Sequence, residues 1–117
     1  MEKVYKLHMF DETFNIVLCR TSYRNNNTLA VLMVDVQDDG TEEDFGVLTV
    51  NLDTGGLTLA NKEDTQFIDT NNLTKDIVKW LVDNNIATET GLYWPSGYCV
   101  YPLFMFTKES LKSMRRI

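Results

Sequence analysis

The sequence predicts an α+β fold in a single domain, residues 1–117: a mainly antiparallel, twisted sheet of five to seven strands, one main helix over 72–84 packed on one face, and a short C-terminal helix. Three observations predict it. Short apolar and β-branched runs recur between turn signals through the first half of the chain. A single segment, 73–84, carries apolar residues at helical spacing. A chain of 117 residues, 44% of them hydrophobic, can bury one core without disulfide or metal staples.

Residues 4–9 read as a first strand and 14–20 as a second, with a tight turn at Asp11-Glu12-Thr13 making a hairpin. Arg24-Asn25-Asn26-Asn27 is a turn cluster, since Asn tolerates left-handed backbone. Residues 29–36 are apolar on both faces, which predicts a central strand. A strand over 45–52 follows, then a hairpin loop at Asp53-Thr54-Gly55-Gly56 and a short alternating strand over 57–60. Asn71 or Asn72 can cap the helix, with Asp76 in its first turn. Leu73, Ile77, Trp80 and Leu81 then share one face, Lys75 and Lys79 lie opposite, and Asn84-Asn85 ends the helix. The remainder, 91–106, is aromatic. Pro95-Ser96-Gly97 turns it, and 98–106 is a strand that Pro102 places at an edge or a bulge. Thr107 can cap a final helix running to Arg115 and Arg116.

Charge is unevenly placed. The net charge is −6, but residues 35–69 hold ten carboxylates and one base, Lys62, while the segments on either side are slightly basic. Five of the seven residues from 38 to 44 are acidic: Asp38, Asp39, Glu42, Glu43 and Asp44. Ionised carboxylates in an apolar interior cost far more than packing returns, so this cluster projects into water around the Asp39-Gly40 turn. Such a surface repels nucleic acid and attracts basic surfaces. Cys19 and Cys99 lie in apolar runs with no second Cys or His at ligand spacing, and read as buried free thiols, with a disulfide between them as the alternative. The start lacks an apolar leader, and no run approaches the ~20 apolar residues of a membrane span. A cytoplasmic protein is expected.

Catalytic chemistry finds little to work with. The one histidine, His8, stands alone in a strand. No nucleophile elbow or phosphate-binding glycine loop is present. Residues 35–40 place oxygen ligands as a calcium loop does, but Gly46 stands where the bidentate Glu is required. No metal and no cofactor is expected. Tyr93, Trp94, Tyr98 and Tyr101 could stack bases, yet bases of the protein do not interleave with them, so no sequence-specific DNA binding is expected. A protein contact surface remains. Its candidate residues are the five carboxylates, with Tyr93 and Trp94 beside the Pro95-Ser96-Gly97 turn as aromatic anchors; alternatively, Trp94 folds back onto the sheet.

Several stretches carry a resemblance. They are Gly46-Val47-Leu48-Thr49-Val50-Asn51-Leu52, Phe67-Ile68-Asp69-Thr70-Asn71-Asn72, Trp80-Leu81-Val82-Asp83-Asn84-Asn85-Ile86, and Thr90-Gly91 followed by Pro95-Ser96-Gly97-Tyr98. Together, over most of residues 28–104, they resemble a family of short uncharacterised proteins of bacterial plasmids, conjugative elements and phages. At this length and charge the chain looks like a type II anti-CRISPR protein. That resemblance implies a non-enzymatic inhibitor in the bacterial cytoplasm whose partner is the host RNA-guided nuclease or its guide-RNA complex. Such a nuclease holds guide and target in cationic channels, for which a carboxylate cluster could compete. Two alternatives stand beside it: a metal-dependent nuclease acting on guide RNA, and an accessory interaction module of a plasmid or phage with no defence role.

Overall fold

A computed structural model describes residues 2–55 and 63–117. The α+β class holds, with mostly antiparallel strands and short helices, but the strands form two sheets rather than one. In the first sheet, β1 (Val4–Met9), β2 (Glu12–Ser22), β3 (Leu29–Val36) and β4 (Glu42–Val47) lie in chain order. In the second, the order is β5 (Thr49–Val50), β6 (Thr65–Ile68), β8 (Cys99–Phe106) and β7 (Ala87–Ser96). The expected strand at 57–60 and Gly56 of the expected loop lie outside the described residues.

One strand run joins the sheets. The chain pairs with β3 through β4, passes Leu48, and pairs with β6 through β5. At the crossing the Leu48 N–H donates to the Val31 carbonyl (2.9 Å) and the Asp69 N–H to the Leu48 carbonyl (3.0 Å). As the run leaves β3, the Val31 N–H loses its ladder partner, and the Thr49 hydroxyl accepts it at 3.1 Å. Tyr23 Oη closes on the same hydroxyl at 2.9 Å. Gln66, buried on β6, donates to the Leu29 carbonyl at 2.8 Å and bonds the Thr28 hydroxyl at 3.0 Å. Buried polar groups persist only when paired, and here the pairs fasten one sheet to the other.

Alternation sets the core. Tyr5, Leu7 and Met9 on β1, Ile16 and Leu18 on β2, and Val31 and Met33 on β3 point to one face and are buried together with Ile68, Phe104 and the helices. The β1–β2 hairpin turns at Phe10-Asp11, with φ of 56° and 61°, a two-residue turn with two left-handed residues. The turn expected at Asp11-Glu12-Thr13 therefore sits one residue earlier, and β2 runs longer at both ends.

The predicted 72–84 helix is broken in two: α1 (Thr70–Leu73) and α2 (Asp76–Asp83). Asp69, not Asn71 or Asn72, caps the start, its carboxylate accepting from the Asn72 N–H at 3.2 Å. Thr74 at φ 68° then interrupts the helical backbone. The apolar stripe is as the spacing predicts: Leu73, Ile77, Trp80 and Leu81 are buried, and Asn84 and Asn85 terminate α2. The Trp80 indole N–H donates to the Lys6 carbonyl at 2.8 Å, so α2 covers the outer edge of β1. Thr107 caps α3 (Lys108–Ser113), as its position predicts. Arg115 and Arg116, expected at the end of that helix, instead form β9 (Arg115–Arg116), which runs parallel to β2 beside Cys19 and Arg20. They occupy the side of β2 that β1 leaves open beyond Val4.

Candidate partner-binding surface

Residues 37–41 join β3 to β4, and Asp38, Asp39 and Gly40 form the turn inside the Gln37–Thr41 closure. The Gly40 N–H donates to the Gln37 carbonyl (2.9 Å) and the Gln37 N–H to the Thr41 carbonyl (2.7 Å). This is a type I turn closed by a left-handed residue, and Gly40 supplies it at φ 88°. Asp39 is tied inward. Its Oδ1 accepts from the Thr41 N–H at 3.0 Å and the Thr41 hydroxyl at 2.6 Å, which holds its carboxyl below the usual range.

The other four carboxylates divide. Glu42 is clamped by Arg115, whose Nη1 and Nη2 donate to its two oxygens at 2.8 Å each. The same guanidinium donates from Nε and Nη2 to Glu2 at 2.7 and 2.9 Å. These bonds hold both carboxyls below the ordinary glutamate value and push the guanidinium pKa further up. The side chains of Asp38, Glu43 and Asp44 are exposed and make no hydrogen bond or ion pair with other described residues. Strand alternation sends Glu42 and Asp44 to one face and Glu43 to the other, where it stands opposite Asp35 on β3. Asp35 is itself held, its Oδ1 accepting from the Asn15 N–H at 3.2 Å and its Oδ2 from the Gln37 side-chain amide at 2.8 Å, which offsets the unfavourable pairing of like charges across the strands. The expected acidic turn of five is thus one free carboxylate on the turn, Asp38, and two on β4, Glu43 and Asp44, while Asp39 and Glu42 are engaged by the protein itself.

A register shift after Met33 puts a bulge at Phe45 and Gly46. Phe45 packs edge-to-face on Phe14, with centroids 4.8 Å apart, and borders a cleft of about 450 Å³ lined also by Phe10, Val47, Asp69 and Leu73. The two aromatic candidates lie on the other sheet. Tyr93 and Trp94 are consecutive in β7 and point to opposite faces: Tyr93 is 58% exposed, whereas Trp94 is half-buried across from Tyr101. Of these two, Tyr93 presents its ring to solvent and Trp94 is the less exposed. The seven candidates do not share one sheet.

Elsewhere, His8 is exposed and hydrogen-bonded to Thr13 at 3.1 Å. Cys19 and Cys99 are free thiols, and burial raises the Cys19 pKa, which makes it a poor nucleophile. Among the described residues, no three His, Cys, Asp or Glu side chains converge to hold a metal ion. No described helix is long and apolar enough to cross a membrane. The Arg115 clamp escaped the sequence reading because its partners stand 73 and 113 residues away, beyond any local pattern.

The clamp predicts a pH dependence. Glu2 and Glu42 have lowered pKa values in the folded state, so the stability they contribute is present above the unfolded glutamate pKa, about 4.3. It is lost as pH falls through the lowered folded values. Arg115→Gln is expected to melt below the wild type at pH 7, and the gap is expected to close progressively below about pH 4 in thermal scans followed by circular dichroism.

A family model described as a domain of unknown function, DUF4313, matches residues 17–116. No curated protein and no solved structure matches the chain.

Proposed function

The chain belongs to the DUF4313 family, and from that premise we propose that it is a non-enzymatic inhibitor that docks its β3–β4 turn on a cationic cleft of a host nucleoprotein. The partner is the RNA-guided nuclease of a type II CRISPR system, alone or with its guide RNA, in the cytoplasm of a bacterial host. The short length and acidic charge of the chain support that choice of partner. One observation carries the docking: Asp38, Glu43 and Asp44 stand free in water at a sheet edge where Glu43 also faces Asp35. The Lys and Arg side chains of a cationic partner would gain charge-assisted hydrogen bonds to these three carboxylates.

The test replaces Asp38, Asp39, Glu42, Glu43 and Asp44 with Asn or Gln and measures binding to the purified nuclease with and without guide, together with target cleavage. The expected result is a folded variant that binds at least about tenfold more weakly and no longer inhibits, the loss shrinking as salt rises. Restoring Asp38, Glu43 and Asp44 alone recovers most of the effect. A folded quintuple variant that inhibits like the wild type overturns the mechanism.

A further inference from the structure

We propose that Arg115 is an autoinhibitory contact: its guanidinium holds Glu42 in the place that an arginine of a cationic partner would take, and so limits how strongly the acidic surface docks. The inference rests on the docking reading above and concerns the regulation of that same surface. Glu42 opens β4 directly before the free carboxylates Glu43 and Asp44, and strand alternation puts it on the face of Asp44. Both of its oxygens accept from Arg115 at 2.8 Å, the two-point geometry by which a guanidinium recognises a carboxylate. Even so, 41% of the Glu42 side chain stays in water, within reach of a partner. The hold is delivered from the far end of the chain. Met114, 7% exposed in the core cluster, anchors the segment, and Arg115 and Arg116 pair in parallel with Cys19 and Arg20. The Ile117 N–H adds one bond, to the Arg20 carbonyl at 3.3 Å. Glu2 grips the other edge of the guanidinium at 2.7 and 2.9 Å and keeps it aimed.

Two physical effects make this contact a competitor of docking. One is tethering. A group carried on the same chain acts at an effective concentration of order millimolar, so an isolated arginine from outside does not displace Arg115. Glu42 therefore adds little to docking until Arg115 is removed or outcompeted by many cations at once. The other is charge. Arg115 brings a positive group to the acidic end of the first sheet and subtracts from the field that steers a cationic partner toward Glu43 and Asp44. Removing the guanidinium thus has two opposite results. The fold loses the clamp, while the surface gains a free carboxylate beside the three already exposed. A contact that served stability alone would not strengthen binding when lost.

The test measures binding of an oligoarginine peptide to the full chain by titration calorimetry at about 0.05 M salt, where surface charges are weakly screened. Arg115→Gln is expected to bind about fivefold more tightly than the wild type, the worth of one freed surface ion pair. Arg115→Lys keeps the charge but gives up the two-point hold, and is expected to gain in the same direction by less. In a Glu42→Gln background most of the gain disappears, because the carboxylate to be freed is absent. Arg116→Gln removes the same charge from the neighbouring residue and is expected to gain about twofold or less. Circular dichroism checks that each variant is folded, and Arg115→Lys carries the test should Arg115→Gln not fold. Folded Arg115 variants that bind no more tightly than the wild type overturn the proposal. So does an equal gain from Arg116→Gln, or a full gain that survives in the Glu42→Gln background. The two readings fail separately. If the nuclease does not bind the chain but the peptide gain is seen, the choice of partner fails and the autoinhibitory contact stands. If the quintuple variant loses nuclease binding while Arg115→Gln gains nothing, docking stands and the contact is structural alone.

Discussion

Trp80→Ala is expected to lower the unfolding free energy by about 3–5 kcal/mol, much of the total for a domain of this size. The residue is 8% exposed and packs in the core cluster with Ile77 and Leu81. Its ring meets Tyr5 edge-to-face, centroids 6.0 Å apart at 75°, and its N–H satisfies the Lys6 carbonyl on the β1 edge. Truncation empties a large volume and also unpairs that carbonyl. Trp80→Phe keeps most of the volume and loses the bond, so about 1–2 kcal/mol is expected. Urea unfolding followed by circular dichroism separates the two. If the alanine variant falls within about 1 kcal/mol of the wild type, α2 is not what closes the core over β1.

Thr49→Val is expected to cost about 1–3 kcal/mol although it hardly changes volume. Thr49 is 2% exposed, and its hydroxyl is the acceptor for the Val31 N–H and the partner of Tyr23 Oη. Valine leaves a buried backbone donor on a residue that is itself fully buried with no acceptor. Thr49→Ser keeps the acceptor and is expected to lose less. Amide exchange at Val31 offers a local readout: it accelerates in the valine variant and not in the serine one. Equal stability of valine and wild type would mean that the Val31 N–H finds another acceptor.

What the sequence made legible was what depends on neighbours along the chain. Residues 4–9 were read as a strand with the bounds of β1, where Tyr5, Leu7 and Met9 alternate with exposed residues, and Thr107 was read as the cap it is, although α3 stops at Ser113 short of the expected Arg115 and Arg116. Leu29 to Val36 was found with its true bounds because both faces are apolar. The helix failed where two local rules competed: Asp69 offered a better cap than Asn71 or Asn72, and Thr74 took a left-handed backbone that its β-branched side chain gave no reason to expect. The strand expected over 45–52 starts earlier, at Glu42, and changes sheets at Leu48. Nothing in a period-two pattern marks such a change, since alternation continues through it.

The candidate surface was legible in position and not in state. Asp38 to Asp44 are all exposed, as composition and Asp39-Gly40 together required, but only the first part turns; Glu42, Glu43 and Asp44 open β4. Which carboxylates are available depended on Arg115, brought over by β9, and on Thr41 folding back onto Asp39. Tyr93 and Trp94 were paired in the sequence as two anchors; as strand neighbours they must face opposite ways, and burial shows which one faces out.

The run from Glu42 to Val50 has a further consequence. Because a single length of backbone serves as the border of both hydrogen-bonded arrays, neither array owns a complete perimeter. A fragment cut on either side of Leu48 would inherit raw strand margins and half a polar joint. A single cooperative unfolding transition, the same by circular dichroism and by tryptophan fluorescence, is the expected result.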